Sequence, residues 1–97
     1  MIITQEYLEE QGYAGVRQCQ NGVWIGISAQ IYTFGLCVGL DEFGYRVRYC
    51  YENWMDVWYA NRSYSGEGDP SGPWIKRKGP DGEKLGPGAK GEGSSYV

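Results

Sequence analysis

Arg46 and Arg48 stand two residues apart in a segment that alternates with Tyr45, Val47 and Tyr49, and Arg17 and Trp24 occupy the matching parity of two earlier segments. A guanidinium fork grips carboxylate or phosphate bidentately, and an indole stacks on a base, a ring or a partner's side chain. Four such residues on one sheet face would make a binding platform rather than a catalytic centre. Asp41 and Glu42 add adjacent carboxylates on a hairpin loop, where solvation leaves them ordinary surface acids available to a basic partner. Lys76-Arg77-Lys78 is the one basic run. It reads either as the solvated flank of a Trp74 anchor or as a flexible arm that touches nucleic acid or an acidic partner, helped by Lys84 and Lys90.

Catalytic chemistry finds little support. The chain has no histidine, and no GxSxG, HExxH or Cys-His pattern can be drawn. The usual general base and nucleophile pairings are therefore missing. Cys19, Cys37 and Cys50 lack CxxC spacing, which makes a poor zinc cage and fits free thiols in a reducing compartment. The Gly-Asp-Pro-Ser-Gly-Pro stretch lacks the GxxxxGK[ST] pattern of a phosphate cradle. A non-enzymatic protein without cofactor or metal is expected.

The elements that would position these residues follow from turn chemistry. Asn21-Gly22 signals a two-residue hairpin turn pairing Gln20 with Val23. Ala29-Gln30 would pair Ser28 with Ile31, and the loop Asp41-Glu42-Phe43-Gly44 pairs Leu40 with Tyr45, which sets Cys37 opposite Arg48 and Cys50 opposite Gly35. These registers put Val16, Val23, Ile25, Ile27, Tyr32, Phe34, Leu36, Val38, Leu40, Tyr45, Val47, Tyr49 and Tyr51 on one face. They put Arg17, Cys19, Trp24, Gly26, Ser28, Thr33, Gly35, Cys37, Gly39, Arg46, Arg48 and Cys50 on the other. Three roles are open to Trp24 there: covering a glycine gap, forming the binding platform, or lying beneath the C-terminal segment and Trp74. Thr4 caps a two-turn helix ending at Gly12, with Tyr7 and Leu8 able to dock, as an appendage to the sheet. Asn53 caps a second helix running to about Tyr64, whose Trp54, Val57 and Trp58 should cross the aliphatic face. The expected fold is α+β: a four-stranded antiparallel meander packed on one helix.

Ninety-seven residues allow one core, and 41% hydrophobic with 15% aromatic residues supply it. All four prolines and nine of the sixteen glycines lie in residues 66–93. The chain divides accordingly into an α+β domain (1–65), an extended segment anchored by Trp74 (66–88), in which Trp74-Ile75 could form a short edge strand ending at Lys78, and a disordered tail (89–97). Net charge is −3, which disfavours a protein devoted to nucleic-acid backbones. The imbalance sits in residues 1–61, where seven carboxylates face three arginines. No apolar stretch reaches the roughly 18 residues of a membrane span, and no signal region opens the chain, so a cytoplasmic protein is expected.

Tyr49-Cys50-Tyr51, the following helix and Gly68-Asp69-Pro70-Ser71-Gly72-Pro73-Trp74-Ile75-Lys76 resemble short uncharacterised proteins encoded by phages and prophages. The resemblance covers the C-terminal half and implies a context: small acidic accessory proteins that bind a host or viral protein, including anti-CRISPR-like inhibitors of bacterial defence. One concrete form is an inhibitor whose acidic side chains stand in for phosphates on a host enzyme. Two other classes stay open. One is a weak nucleic-acid or anion binder using the Arg/Trp face; the other is an assembly protein or homodimer joined through an uncovered sheet edge.

Overall fold

Five antiparallel strands follow one another across the sheet in chain order, where four were expected from sequence. They are β1 (Ala14–Gln18), β2 (Trp24–Ala29), β3 (Phe34–Val38), β4 (Val47–Tyr51) and β5 (Trp74–Lys78), with α1 (Gln5–Glu10) before β1 and α2 (Trp54–Ser63) between β4 and β5. The computed structural model describes residues 2–85; the expected tail at 89–97 lies outside them.

Both helices start where their caps dictate. The Thr4 hydroxyl accepts the Tyr7 N–H at 3.1 Å, and the Asn53 side-chain oxygen Oδ1 accepts the Asp56 N–H at 2.9 Å. Each helix packs on its own face of the sheet. On one, α2 contributes Val57 and Ala60 to a core of Ile25, Ile27, Leu36, Val38, Tyr49, Tyr51 and Trp74. On the other, α1 inserts Leu8 among Val16, Cys37 and Leu40, with Tyr13, Trp24 and Tyr45 around them. The first helix is thus part of a second core, not an appendage.

A first turn one residue longer than expected and a bulge at Gly39 explain why residues expected on one face lie on the other, and a further glycine bulge interrupts β1. Ala14 pairs with Ile27 but Arg17 with Ile25, so Gly15 and Val16 together oppose Gly26. Gly15 takes φ +60°, a left-handed conformation that favours glycine. Gly39 and Leu40 likewise both donate to the Trp24 carbonyl, with Gly39 at φ +79°. The bulge at Gly39 sends Leu40 to the α1 core. Val16 joins it, while Arg17 and Cys19 turn toward α2, because the first hairpin slips β1 by one residue against β2. Cys19 N–H donates to Val23 O, Gly22 N–H donates to Cys19 O, and Asn21 keeps a negative φ. The turn is the three-residue kind that closes with a left-handed glycine, not the two-residue turn expected. Pro80-Asp81-Gly82 repeats the pattern after β5, with Gly82 donating to Gly79 O.

The β3–β4 register is as expected, with Cys37 opposite Arg48 and Gly35 opposite Cys50. Between β2 and β3 the register instead runs Ala29–Phe34 to Ile25–Val38, and Ile31-Tyr32 forms the turn. This longer hairpin overlaps β2 and β3 along their full length, whereas a turn at Ala29-Gln30 would leave the end of β3 unpaired. Burial outweighs turn preference here. Tyr32, expected in the core, is at the tip and 90% exposed.

Polar tips of core aromatics hold the Gly/Pro-rich segment against the α2 face. Tyr49 donates to Asp69 Oδ1 (2.9 Å), Tyr51 to Ser71 O (2.6 Å), Tyr64 to Gly68 O (2.7 Å) and Trp74 Nε1 to Pro70 O (3.3 Å). Burial first, then the hydrogen bond to Asp69 and its charge, raises the Tyr49 pKa, and burial foremost raises that of Tyr51. Burial also pushes the Cys37 thiol from 9.0 up to about 11. Each raised value means that the folded state holds its proton more tightly than the unfolded chain. Stability contributed by these groups is full below about pH 9 and declines above it, first as Cys37 would ionise in the unfolded chain and then, past about pH 10, as the two phenols would. Urea unfolding between pH 8 and 12 is expected to show this decline, and Tyr49→Phe with Tyr51→Phe to flatten its upper part.

Candidate functional site

Among the described residues, two surfaces group several side chains not consumed by folding. The first is a shallow hollow of about 260 Å³ on the α1 side of the sheet, lined by Gln30, Ile31, Tyr32 and Thr33 of the β2–β3 hairpin and by Arg48, Cys50, Lys76 and Lys78. Strand pairing builds it: Arg48 stands directly opposite Lys78, and Cys50 opposite Lys76. Alternation along β5 sends Lys76 and Lys78 to this face and Arg77 to the other, where Arg77 Nη1 lies 3.6 Å from Asp69 Oδ1. The Lys76-Arg77-Lys78 run is therefore a strand, not a flexible arm, and its charges are divided between faces.

Arg48 lies over Gly35, where a Cβ would come within 2.5 Å of Arg48 Cδ, and its guanidinium sits 5.3 Å from the Tyr45 ring centroid. Its Nε is buried and, among the described residues, has no hydrogen-bond partner. Below, Gln30 Nε2 donates to Ser28 Oγ at 2.7 Å, and Ser28 Oγ lies 3.6 Å from Cys37 Sγ. All three cysteines are free and buried. With its pKa at about 11, Cys37 remains a neutral packing thiol rather than a nucleophile at ordinary pH.

The second surface is the outer side of α2. Trp54 and Trp58, expected to be buried, are 40% and 37% exposed. They stack on each other with centroids 5.6 Å apart, and Phe34 meets Trp54 edge-on. The position is forced, because Val57, Ala60 and Asn61 take the buried stripe of the helix. Met55 (72% exposed) and Tyr59 (65%) extend the apolar surface outward, and Arg62 lies over Trp58.

The remaining residues expected to bind a partner are scattered. Arg17 is on the α2 face, a correction that follows from the three-residue first turn, which sets it opposite Ile25; its Nε donates to Asn61 O at 2.9 Å and its Nη2 to Tyr64 O. It therefore closes the C-terminal carbonyls of α2, where the helix dipole favours a cation. Trp24 is half-buried against the α1 core. Its carbonyl meets Gly39 and Leu40, and Trp74 is in the opposite core. Arg46 sits exposed at the bend before β4 with its Cβ close over Gly39, and its charge reaches Tyr64 in the α2-side core. Asp41 and Glu42 lie on the exposed β3–β4 loop, where Asp41 accepts the Phe43 N–H at 2.8 Å. Of the expected platform only Arg48 remains in a site, joined by Lys76 and Lys78. Strand alternation through Lys-Arg-Lys was the available clue to that trio.

Among the described residues, no group of three or more His, Cys, Asp or Glu could hold a metal ion, and no helix is long and apolar enough to cross a membrane. No protein-family model, curated protein or solved structure matches the chain.

Proposed function

We propose that this chain is a small non-enzymatic module that binds another protein through the outer face of α2. The observation that carries the reading is the continuous row of Trp54, Met55, Trp58 and Tyr59 left on the surface of a helix whose other side is fully packed. Trp, Tyr and Arg dominate binding hot spots, and Met adapts to irregular pockets. The fitting partner presents an apolar cleft with a carboxylate placed to meet Arg62. In the phage setting implied by the sequence resemblance, the partner is a host enzyme or defence protein in the bacterial cytoplasm, and binding inhibits it.

The test is a nuclease-treated pull-down comparing wild type with Met55→Glu/Tyr59→Glu, two exposed positions where charge leaves the fold intact by circular dichroism. A protein captured by wild type and lost in the variant is the expected result; equal capture would remove α2 from the reading. Light scattering across a concentration series separates a second copy from a different protein. Sheet edges argue for the latter: β1 is bulged, while β5 carries three cations and is flanked by the Lys78–Lys84 bridge.

A further inference from the structure

The geometry points to the Arg48, Lys76 and Lys78 hollow as a binding site for a nucleoside phosphate, with the phosphate between the three cations and the base against Tyr32. This site is independent of the α2 surface and lies on the opposite side of the sheet.

Three observations converge on it. Arg48 and Lys78 are a like-charge pair directly across an antiparallel ladder, an arrangement that destabilises a sheet when nothing neutralises it. Lys76, two positions along the same strand, adds a third positive charge to that face. Among the described residues none of these three cations has a carboxylate within ion-pair distance, whereas Arg77, on the other face, has Asp69. The like-charge cost without an ion-pair partner therefore falls in the hollow. Second, Arg48 Nε is desolvated and lacks a hydrogen-bond partner among the described residues, as Arg77 Nε does on the other face, which is expensive for a charged donor group. The Tyr45 ring offers its face to the guanidinium but no acceptor lone pair. A phosphate oxygen in the hollow would supply a strong acceptor to a guanidinium already held in place over Gly35.

Third, the hollow is asymmetric. Its floor and one wall are cationic; its other wall is the hairpin tip, where Tyr32 is 90% and Ile31 88% exposed, beside the polar side chains of Gln30 and Thr33. An aromatic ring beside a cationic cluster is the arrangement that accepts a stacked base with its phosphate, and about 260 Å³ is room for one nucleotide unit rather than a strand track. One stacking ring also means little discrimination among bases.

The test uses the full chain labelled with ¹⁵N and three probes: thymidine 5′-monophosphate, inorganic phosphate and an eight-residue oligothymidylate. Thymidine monophosphate is expected to shift the resonances of Arg48, Lys76, Lys78 and Tyr32, and to bind at least fivefold more tightly than inorganic phosphate. Lys76→Gln/Lys78→Gln should weaken it tenfold or more, Tyr32→Ala should remove its advantage over phosphate, and Arg77→Gln should leave it unchanged. Tighter binding of the oligonucleotide would assign the site to single strands, and equal binding per phosphate to free nucleotides; both support the site. Absence of shifts in the hollow with every probe at millimolar concentration would overturn it, as would equal affinity for phosphate and nucleotide or equal weakening by Arg77→Gln.

Discussion

Trp74→Ala is expected to lower the unfolding free energy by about 3–5 kcal/mol, as emptying a buried aromatic site does. Trp74 is 1% exposed, meets Tyr49 edge-on with ring centroids 4.9 Å apart, and donates its indole N–H to Pro70 O. Removing the ring leaves a cavity against Tyr49 and releases the segment that precedes β5. For a small domain whose whole stability is on the order of 5–15 kcal/mol, this is a large share. Urea unfolding followed by circular dichroism measures it. A loss below 1 kcal/mol would mean that β5 adds little to the sheet. Trp74→Phe, which keeps most of the volume but not the donor, should cost less than Trp74→Ala.

Leu8→Ala is expected to cost about 2–5 kcal/mol, although it lies on a six-residue helix at the chain's start. Alanine is the better helix former, so the loss cannot come from local propensity and reports docking of α1 on Val16, Cys37 and Leu40. The contrast is Glu9→Ala. Glu9 is exposed, its Oε2 accepts from Gln5 at 3.0 Å, and its removal should change stability by less than about 0.5 kcal/mol. If both substitutions cost the same small amount, α1 would be an appendage after all.

Much of this architecture could be read from residue order, and the failures share a cause. Thr4 and Asn53 announced their helices, because an N-cap acts through its own side chain and the next turn. The Asp41–Gly44 loop fixed β3 against β4 for a similar reason. What escaped was strand register. The first hairpin closes over three residues rather than two, which slips β1 by one position against β2 and reverses Val16, Arg17 and Cys19 together, while the bulge at Gly39 reverses Leu40. The Arg/Trp platform was an artefact of the shorter turn and of unbroken alternation. Arg48 kept its place because β3 and β4 pair without interruption, and Lys76 and Lys78 could join it only once β5 was known to lie beside β4. Trp54 and Trp58 were misjudged differently: their size suggested burial, but small Ala60 and polar Asn61 let α2 approach the sheet along the neighbouring stripe. Asn61 is fully buried there and donates to Gly15 O at 3.1 Å, tying the helix to the bulge itself.

Strand order that repeats chain order has a kinetic consequence. Every new strand adds to the edge left by its predecessor, and none must insert between two already paired. Hairpin closures of this kind involve short loops and low contact order, so the first four strands can zip in succession as they leave the ribosome. The step that spans the greatest distance is the arrival of β5 after α2, which brings Trp74 onto the α2-side core and Lys76 and Lys78 up to Arg48. Closing that core and assembling the cationic hollow are thus one late event.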